Sequence, residues 1–152
     1  MSRAVRVSSV VEHSVEIDAP VREVFDYVDD FSRIKEWMYG LHTIEPVTEQ
    51  TRGVGATYDG VMKVGVHLSS RIQCTAWERD RLIEISSVKG VHNVQRWYFT
   101  DLGGDRTRVE AWISYRLPGG PAGRAMAAAV RPLIGVAIKH TSEHLVRNIE
   151  RR

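Results

Sequence analysis

A single cysteine, Cys74, is present in 152 residues, which excludes an intramolecular disulfide and a thiolate-rich metal cluster. Neither sign of charge prevails: 21 Lys+Arg stand against 19 Asp+Glu, a formal net charge of +2. There is no strong electrostatic argument for a nucleic-acid partner, although a pI near 8.9 is mildly basic. No uninterrupted apolar run approaches the roughly 20 residues of a membrane span. The opening, Met1 to Val10, carries Arg3 and Arg6 without the long apolar core of a signal peptide. Internal repeats, low-complexity tracts and linkers are missing too. What remains is ordinary globular composition, 43% hydrophobic and 26% charged, which rules out wholesale disorder. One cytoplasmic domain is expected, with its core over about residues 10–150.

Val10 to Asp18 alternates, with Val11, His13, Val15 and Ile17 on one face and Glu12, Ser14 and Glu16 on the other, the pattern of a half-buried strand. Asp18-Ala19-Pro20 ends it and opens a helix over Val21–Asp29, with Asp18 as the expected cap and Val24, Phe25 and Val28 buried. A second short helical turn spans Ser32–Trp37. From Leu41 to Leu117 only strands are expected: Thr43–Thr48, Gly55–Lys63, Val66–Glu78, Leu82–Lys89, Val91–Asp101 and Thr107–Leu117. Short turns such as Lys89-Gly90 and Gly103-Gly104-Asp105 join them, so the pairing should be antiparallel.

Pro118-Gly119-Gly120-Pro121 then precedes the longest helical pattern, Ala122 to Glu150. Met126, Val130, Leu133, Ile134, Ala137, Ile138, Thr141, Leu145 and Ile149 share one arc, and Pro132 should kink or split the helix. Such a helix would be about 43 Å long, against a diameter of about 38 Å for a domain of this size. It must lie along the sheet. The predicted fold class is α+β: a curved seven-stranded antiparallel sheet wrapped around a long C-terminal helix, with two short helices after the first strand.

The first half of that helix is crowded with alanine and glycine. Two readings carry equal weight: a cavity on the order of 300–1,000 Å³, or the helix propensity of alanine. The inward rows bear on this choice. Val109, Ala111, Ile113, Tyr115 and Leu117 face in from the last strand, Tyr58, Gly60 and Met62 from the second hairpin, and Leu68, Ser70, Ile72, Cys74 and Ala76 from Val66–Glu78. On Val91–Asp101 the better inward row is Asn93, Gln95, Trp97 and Phe99, with the Val94 and Tyr98 row as the alternative. His13, Tyr58, Asn93, Gln95 and Tyr115 are then polar points in an apolar interior, each needing a partner there or a cavity.

Several candidate motifs fail on their chemistry. His140 and His144 lie one turn apart, but the glutamate between them, Glu143, is not placed as in HExxH and no third ligand is evident, so no metal is expected. Gly53-Val54-Gly55 precedes a strand rather than a helix and is a turn. There is no P-loop and no GxSxG elbow. Cys74, beside Ile72 and Ala76, reads as a buried, inert thiol. Trp77 and Trp112 read as outward and partly covered by a loop or partner subunit, and Trp37 as packing the cavity's end or gating its mouth.

Ile17-Asp18-Ala19-Pro20, Val24-Phe25, Asp29-Asp30-Phe31, Trp37, Gly53-Val54-Gly55-Ala56, Trp97-Tyr98-Phe99, Thr107-Arg108-Val109 and the closing helix Leu145 to Glu150 together resemble the START-like, Bet v 1-like (SRPBCC) superfamily. The likeness is to its polyketide cyclase/dehydrase and lipid-transport branch and runs from about Val11 to Glu150. It implies a helix-grip fold with a hydrophobic cavity, and binding of a lipid, polyketide or similar molecule without a cofactor. The ligand-binding candidates are Trp37, Tyr58, Met62, Ile72, Gln95, Trp97, Ile113, Tyr115, Met126, Val130 and Ile134. Two alternatives stand beside binding. One is a cofactor-independent cyclase, aromatase or dehydratase with Tyr58 and His13 as catalytic groups, helped by Gln95 and Tyr115. The other is a regulatory interaction module using the Trp112 face. The chain is expected as a monomer or homodimer, with no nucleic-acid partner and no integral membrane segment.

Overall fold

The structure, a computed structural model, describes residues 9–117 and 120–152. Strand β1 (Ser9–Ile17) leads into helix α1 (Val21–Asp29) and a short 3₁₀ helix (Phe31–Glu36). Six strands follow: β2 (Leu41–Pro46), β3 (Thr57–Lys63), β4 (His67–Glu78), β5 (Leu82–Gly90), β6 (His92–Gly103) and β7 (Arg106–Arg116). Helix α2 (Gly120–Glu150) closes the described chain. Pro118 and Gly119 of the expected turn lie outside the described residues, as do residues 1–8 of the opening segment read for a signal peptide.

The curved sheet has the order β1-β7-β6-β5-β4-β3-β2 and is antiparallel throughout. β2 to β7 follow one another as a meander: short turns join β3 through β7, and a longer loop between Pro46 and Thr57 joins β2 to β3. β1 instead pairs with β7 along its whole length, from Ser9 opposite Tyr115 to Ile17 opposite Thr107. The β1–β2 connection therefore crosses from one sheet edge to the other, and α1 with the 3₁₀ helix covers that end. At the β5–β6 turn the backbone needs glycine: Gly90 has φ +83°, and a Cβ there would sit 2.3 Å from the Ser69 carbonyl oxygen.

Local details differ from the expectations in three places. Asp18 does not cap α1; Pro20 holds the N-cap position and no side chain caps the helix. The Asp18 carboxylate pairs with Arg106 at 3.0 Å, and its backbone N–H donates to Glu150 Oε1 at 3.0 Å, tying β1 to the end of α2. Pro132 does not split α2, which runs as one 31-residue helix. In β4, Cys74 pairs with Ile85 and Ala76 with Glu84, so Thr75 is an extra, bulged residue. The bulge reverses the alternation, and Trp77 rather than Ala76 follows Cys74 onto the inner face.

The apolar interior falls into two clusters. One gathers Ile17, Val24, Phe25, Trp37, Trp97, Phe99, Leu145 and Ile149 under α1. The other gathers Val64, Tyr115, Leu117, Val130 and Ala137 beneath the first half of α2. Helix α2 spans both, as its length requires. Leu133, placed on its apolar arc, is 42% exposed because it lies beside the β3–β4 turn at Gly65 rather than under the helix.

Candidate functional site

A cavity of about 180 Å³ lies where the two clusters meet. Its floor is the inner face of β2 to β7, its roof is Ile134, Ala137, Ile138 and Thr141 of α2, and Val28, Phe31, Ile34 and Trp37 wall one end. The space exists because the α2 backbone comes close to β1 and α1 but stands off the middle strands. It is smaller than the expected range, since indoles and branched side chains fill much of the gap: Trp37 and Trp97 meet edge to face at 5.6 Å.

Of the ligand-binding candidates, Trp37, Met62, Ile72, Gln95, Trp97, Ile113, Tyr115 and Ile134 line this cavity. The inward row of β6 is Asn93, Gln95, Trp97 and Phe99, with Trp97 and Phe99 buried and Tyr98 exposed. Three candidates sit elsewhere. Met126 and Val130 belong to the second cluster, Val130 buried and Met126 partly buried, and do not line the cavity. Tyr58 is buried, but its hydroxyl donates to the Thr51 carbonyl oxygen at 2.6 Å and its ring packs on Phe31 at 4.8 Å. Burial pushes that phenol above its ordinary pKa, so it stays protonated and holds the loop before β3.

His13 is also separated from the cavity. It lies in a surface groove between β1 and α2 with Lys139, Glu143 and Arg147, because β1 is the strand that α2 approaches. His13 and Tyr58 thus do not share a chamber. His140 and His144 have ring centroids 6.4 Å apart, His140 rests on Tyr39 at 4.9 Å, and no group of three or more metal-ligand side chains exists among the described residues. Cys74 is buried, and burial pushes its thiol up to about 11, which leaves it inert as a nucleophile near neutral pH. Trp112 is covered by its own chain: the Arg96 guanidinium sits 4.5 Å above its ring and pairs with Glu84.

The polar groups on the cavity floor form one chain along β6. Trp97 Nε1 donates to Gln95 Oε1 at 3.4 Å, Gln95 Nε2 to Asn93 Oδ1 at 3.4 Å, and Asn93 Nδ2 to Ser70 Oγ at 3.2 Å. Ser70 in turn donates to the Val91 carbonyl oxygen at 3.0 Å. The period-2 pleat aligns these side chains on one face, and β4 supplies Ser70 across the sheet. At the roof, Thr141 Oγ1 accepts from the Tyr39 backbone N–H at 3.0 Å, joining α2 to the segment before β2.

Sequence reasoning passed over Met38, Tyr39, Leu41 and Ile44, all of which line the cavity. A register shift between Leu41 and Thr43 breaks the alternation of β2 and hides the inward spacing of Leu41 and Ile44. It also passed over the chemistry of Asp29, which follows Val28 on α1 and is 4% exposed. Asp29 Oδ1 accepts from Trp77 Nε1 at 3.0 Å while Oδ2 has no partner among the described residues, and burial raises its pKa.

Residues 9–150 match the family model described as polyketide cyclase / dehydrase and lipid transport. No curated protein matches the sequence significantly. Among solved structures, the fold is similar to the Zhui aromatase/cyclase of a Streptomyces species, at TM-score 0.81 and 16% identity over 96% of each chain. A Thermus thermophilus protein superposes at TM-score 0.78 with 19% identity, covering 93% of this chain and 97% of that one. A START superfamily protein of Mycobacterium smegmatis gives TM-score 0.72 and 18% identity, with the same coverage, 93% and 97%. Among the described residues no helix is long and apolar enough to cross a membrane.

Proposed function

Because the chain belongs to the polyketide cyclase/dehydrase and lipid transport family, we propose that it binds a hydrophobic small molecule in the cavity between sheet and α2. The observation that carries this reading is the apolar chamber of about 180 Å³, into which a few neutral polar groups point from a largely branched-aliphatic and aromatic wall. Chambers of this make-up orient a guest by a few hydrogen bonds and hold it by burial. The chamber slightly exceeds the roughly 150 Å³ that suffices for benzene in an engineered apolar cavity.

The test is native mass spectrometry of the purified chain for a co-purified molecule, joined to tryptophan-fluorescence titration with fatty acids, sterols and aromatic ketones. Trp37 and Trp97 in the wall make occupancy visible as quenching or a spectral shift. A carrier gives saturable binding of at least one class. No co-purified ligand and no response to any class overturns the reading.

The family description also supports a second reading, a cofactor-independent cyclase or dehydratase. Catalysis there would come chiefly from folding and orienting a reactive ketone chain. It ranks second because, among the described residues, no side chain lining the cavity is a carboxylate, an imidazole or an amine, the usual agents of proton transfer. In this reading Tyr58 and His13 are the assigned catalytic groups; unchanged turnover of an authentic substrate in Tyr58→Phe and His13→Ala removes that assignment.

A further inference from the structure

We propose that one end of the molecule, formed by the first half of α2 with the β3–β4 and β5–β6 turns, docks on an anionic lipid bilayer. This surface lies outside the chamber, so it is tested without a guest and stands or falls apart from the carrier reading.

The sheet register gathers this end. Lys63 stands opposite His67, Ser70 opposite Gly90 and His92 opposite Arg116, so the two turns and the end of β7 lie side by side. Helix α2 crosses them: Met126, Val130 and Ile134 share a cluster with Val64, Val91 and Leu117.

Charge here has one sign. Residues 60–77, 85–100 and 111–142 contain no Asp or Glu, while Lys63, Lys89, Arg124 and Arg131 are exposed. Among the described residues none of these four takes part in an ion pair. The opposite end is mixed and self-paired: Arg79 meets Asp26 at 2.7 Å, and Arg106 meets Glu16 at 2.8 Å and Asp18 at 3.0 Å. Unpaired cations gathered on one surface attract an anion from outside the chain.

The apolar surface between those cations selects which anion. Residues 120–139 carry no Asp, Glu, Ser, Thr, Asn or Gln, so the polar groups of this half of α2 are Arg124, Arg131 and Lys139. A helix side facing water ordinarily bears charged and polar residues throughout. Here Leu133 and Val136 are exposed, and Val88 is exposed beside Lys89 at the β5–β6 turn. Aliphatic side chains interleaved with cations are the make-up of a helix lying in a bilayer interface. The helix is not long and apolar enough to cross the membrane, so it lies on the surface. Nucleic acid would match the cations but leave Leu133 and Val136 without a use. Val64, Val91 and Ile134 line the chamber from this same end, so docking sets the chamber's wall against lipid.

The test is co-sedimentation with vesicles of phosphatidylcholine alone and of phosphatidylcholine with about 30% phosphatidylglycerol. The anionic vesicles are expected to bind at least tenfold more tightly at about 0.1 M salt, with most of that difference lost at about 0.5 M. Arg124→Gln combined with Arg131→Gln is expected to weaken anionic binding about thirtyfold. Arg22→Gln combined with Lys35→Gln removes two exposed cations near the other end and should leave binding within about twofold. Leu133→Ser and Val136→Ser are each expected to weaken binding several-fold at both salt concentrations. Circular dichroism checks the fold of every variant, and Val136→Ser decides alone should Leu133→Ser unfold. Equal binding to the two vesicles, binding to neither, or equal loss in the two charge pairs overturns the assignment. Capture of an acidic protein or of DNA by a chain that ignores vesicles overturns it too. A chain that binds vesicles but no guest loses only the carrier reading, and one that binds a guest but no vesicle loses only this one.

Discussion

The two ends of the interior are built differently from the same seven strands. Under α1, aromatic rings interlock: Phe25 packs edge-on against Phe99 at 5.0 Å and Trp77 at 5.4 Å. Phe25, Val24 and Ile17 are fully buried there, and the Thr107 hydroxyl donates to the Ala19 carbonyl oxygen at 2.8 Å. Around the middle of α2 the helix side chains that roof the chamber, Ala137 and Thr141 beside Ile134 and Ile138, are smaller, and Leu133 and Val136 are 42% and 47% exposed. One end is therefore a packed core and the other a roof held away from its floor. Filled space supplies stability, whereas the standoff supplies a chamber, and the chain places its large interlocking rings in the first.

Phe25→Ala tests this contrast most severely. It deletes a fully buried ring from the packed end and should cost about 3–5 kcal/mol in urea unfolding. A loss below about 1 kcal/mol would mean that this end is not the stability core.

Adding volume should separate the ends in the opposite sense. Ala111 is buried in the α1 cluster, and Ala111→Leu should overpack it at about 1–3 kcal/mol. Ala137 lines the cavity, so Ala137→Leu has space to enter and should change stability by less than about 1 kcal/mol while weakening any guest at least several-fold. Equal destabilisation by both substitutions would show that no usable void lies beneath Ala137.

The smallest effect concerns pH. Burial raises the Asp29 pKa above its ordinary value, so the folded chain holds that proton more tightly than the unfolded one. Its contribution is fully present below the ordinary Asp range and is lost as pH rises through the raised value. Glu84, lowered chiefly by its hydrogen bond from Arg96, has the opposite sign: its contribution is present above the ordinary Glu range and lost as pH falls. Asp29→Asn should accordingly stabilise the chain at pH 7, by under about 1 kcal/mol, with the gain shrinking on acidification. A gain that grows toward acid would reverse the sign argued here.

Much of the architecture was legible because alternation and helical arcs repeat over many residues. Val11, Val15 and Ile17 in β1, Val109 to Tyr115 in β7, and Thr141, Leu145 and Ile149 in α2 are buried or half-buried as their spacing implies. Single-residue events were not legible. One bulged residue, Thr75, turns Trp77 inward, and the register shift near His42 masks Leu41 and Ile44. Bulges leave little trace in composition, since any residue can be the extra one.

The periodicities of this chain alone determined the element types, their order and the presence of a long apolar-faced helix, because backbone geometry imposes those repeats locally. The family likeness was also legible in the residues. Tertiary structure decided how far α2 stands from each strand, and with it everything about the site. That distance separates His13 from the chamber and seats Met126 and Val130 in the second cluster, outside it. Spacing along a strand says which face a side chain takes; only the packing of distant elements decides whether that face meets a neighbour or an empty volume.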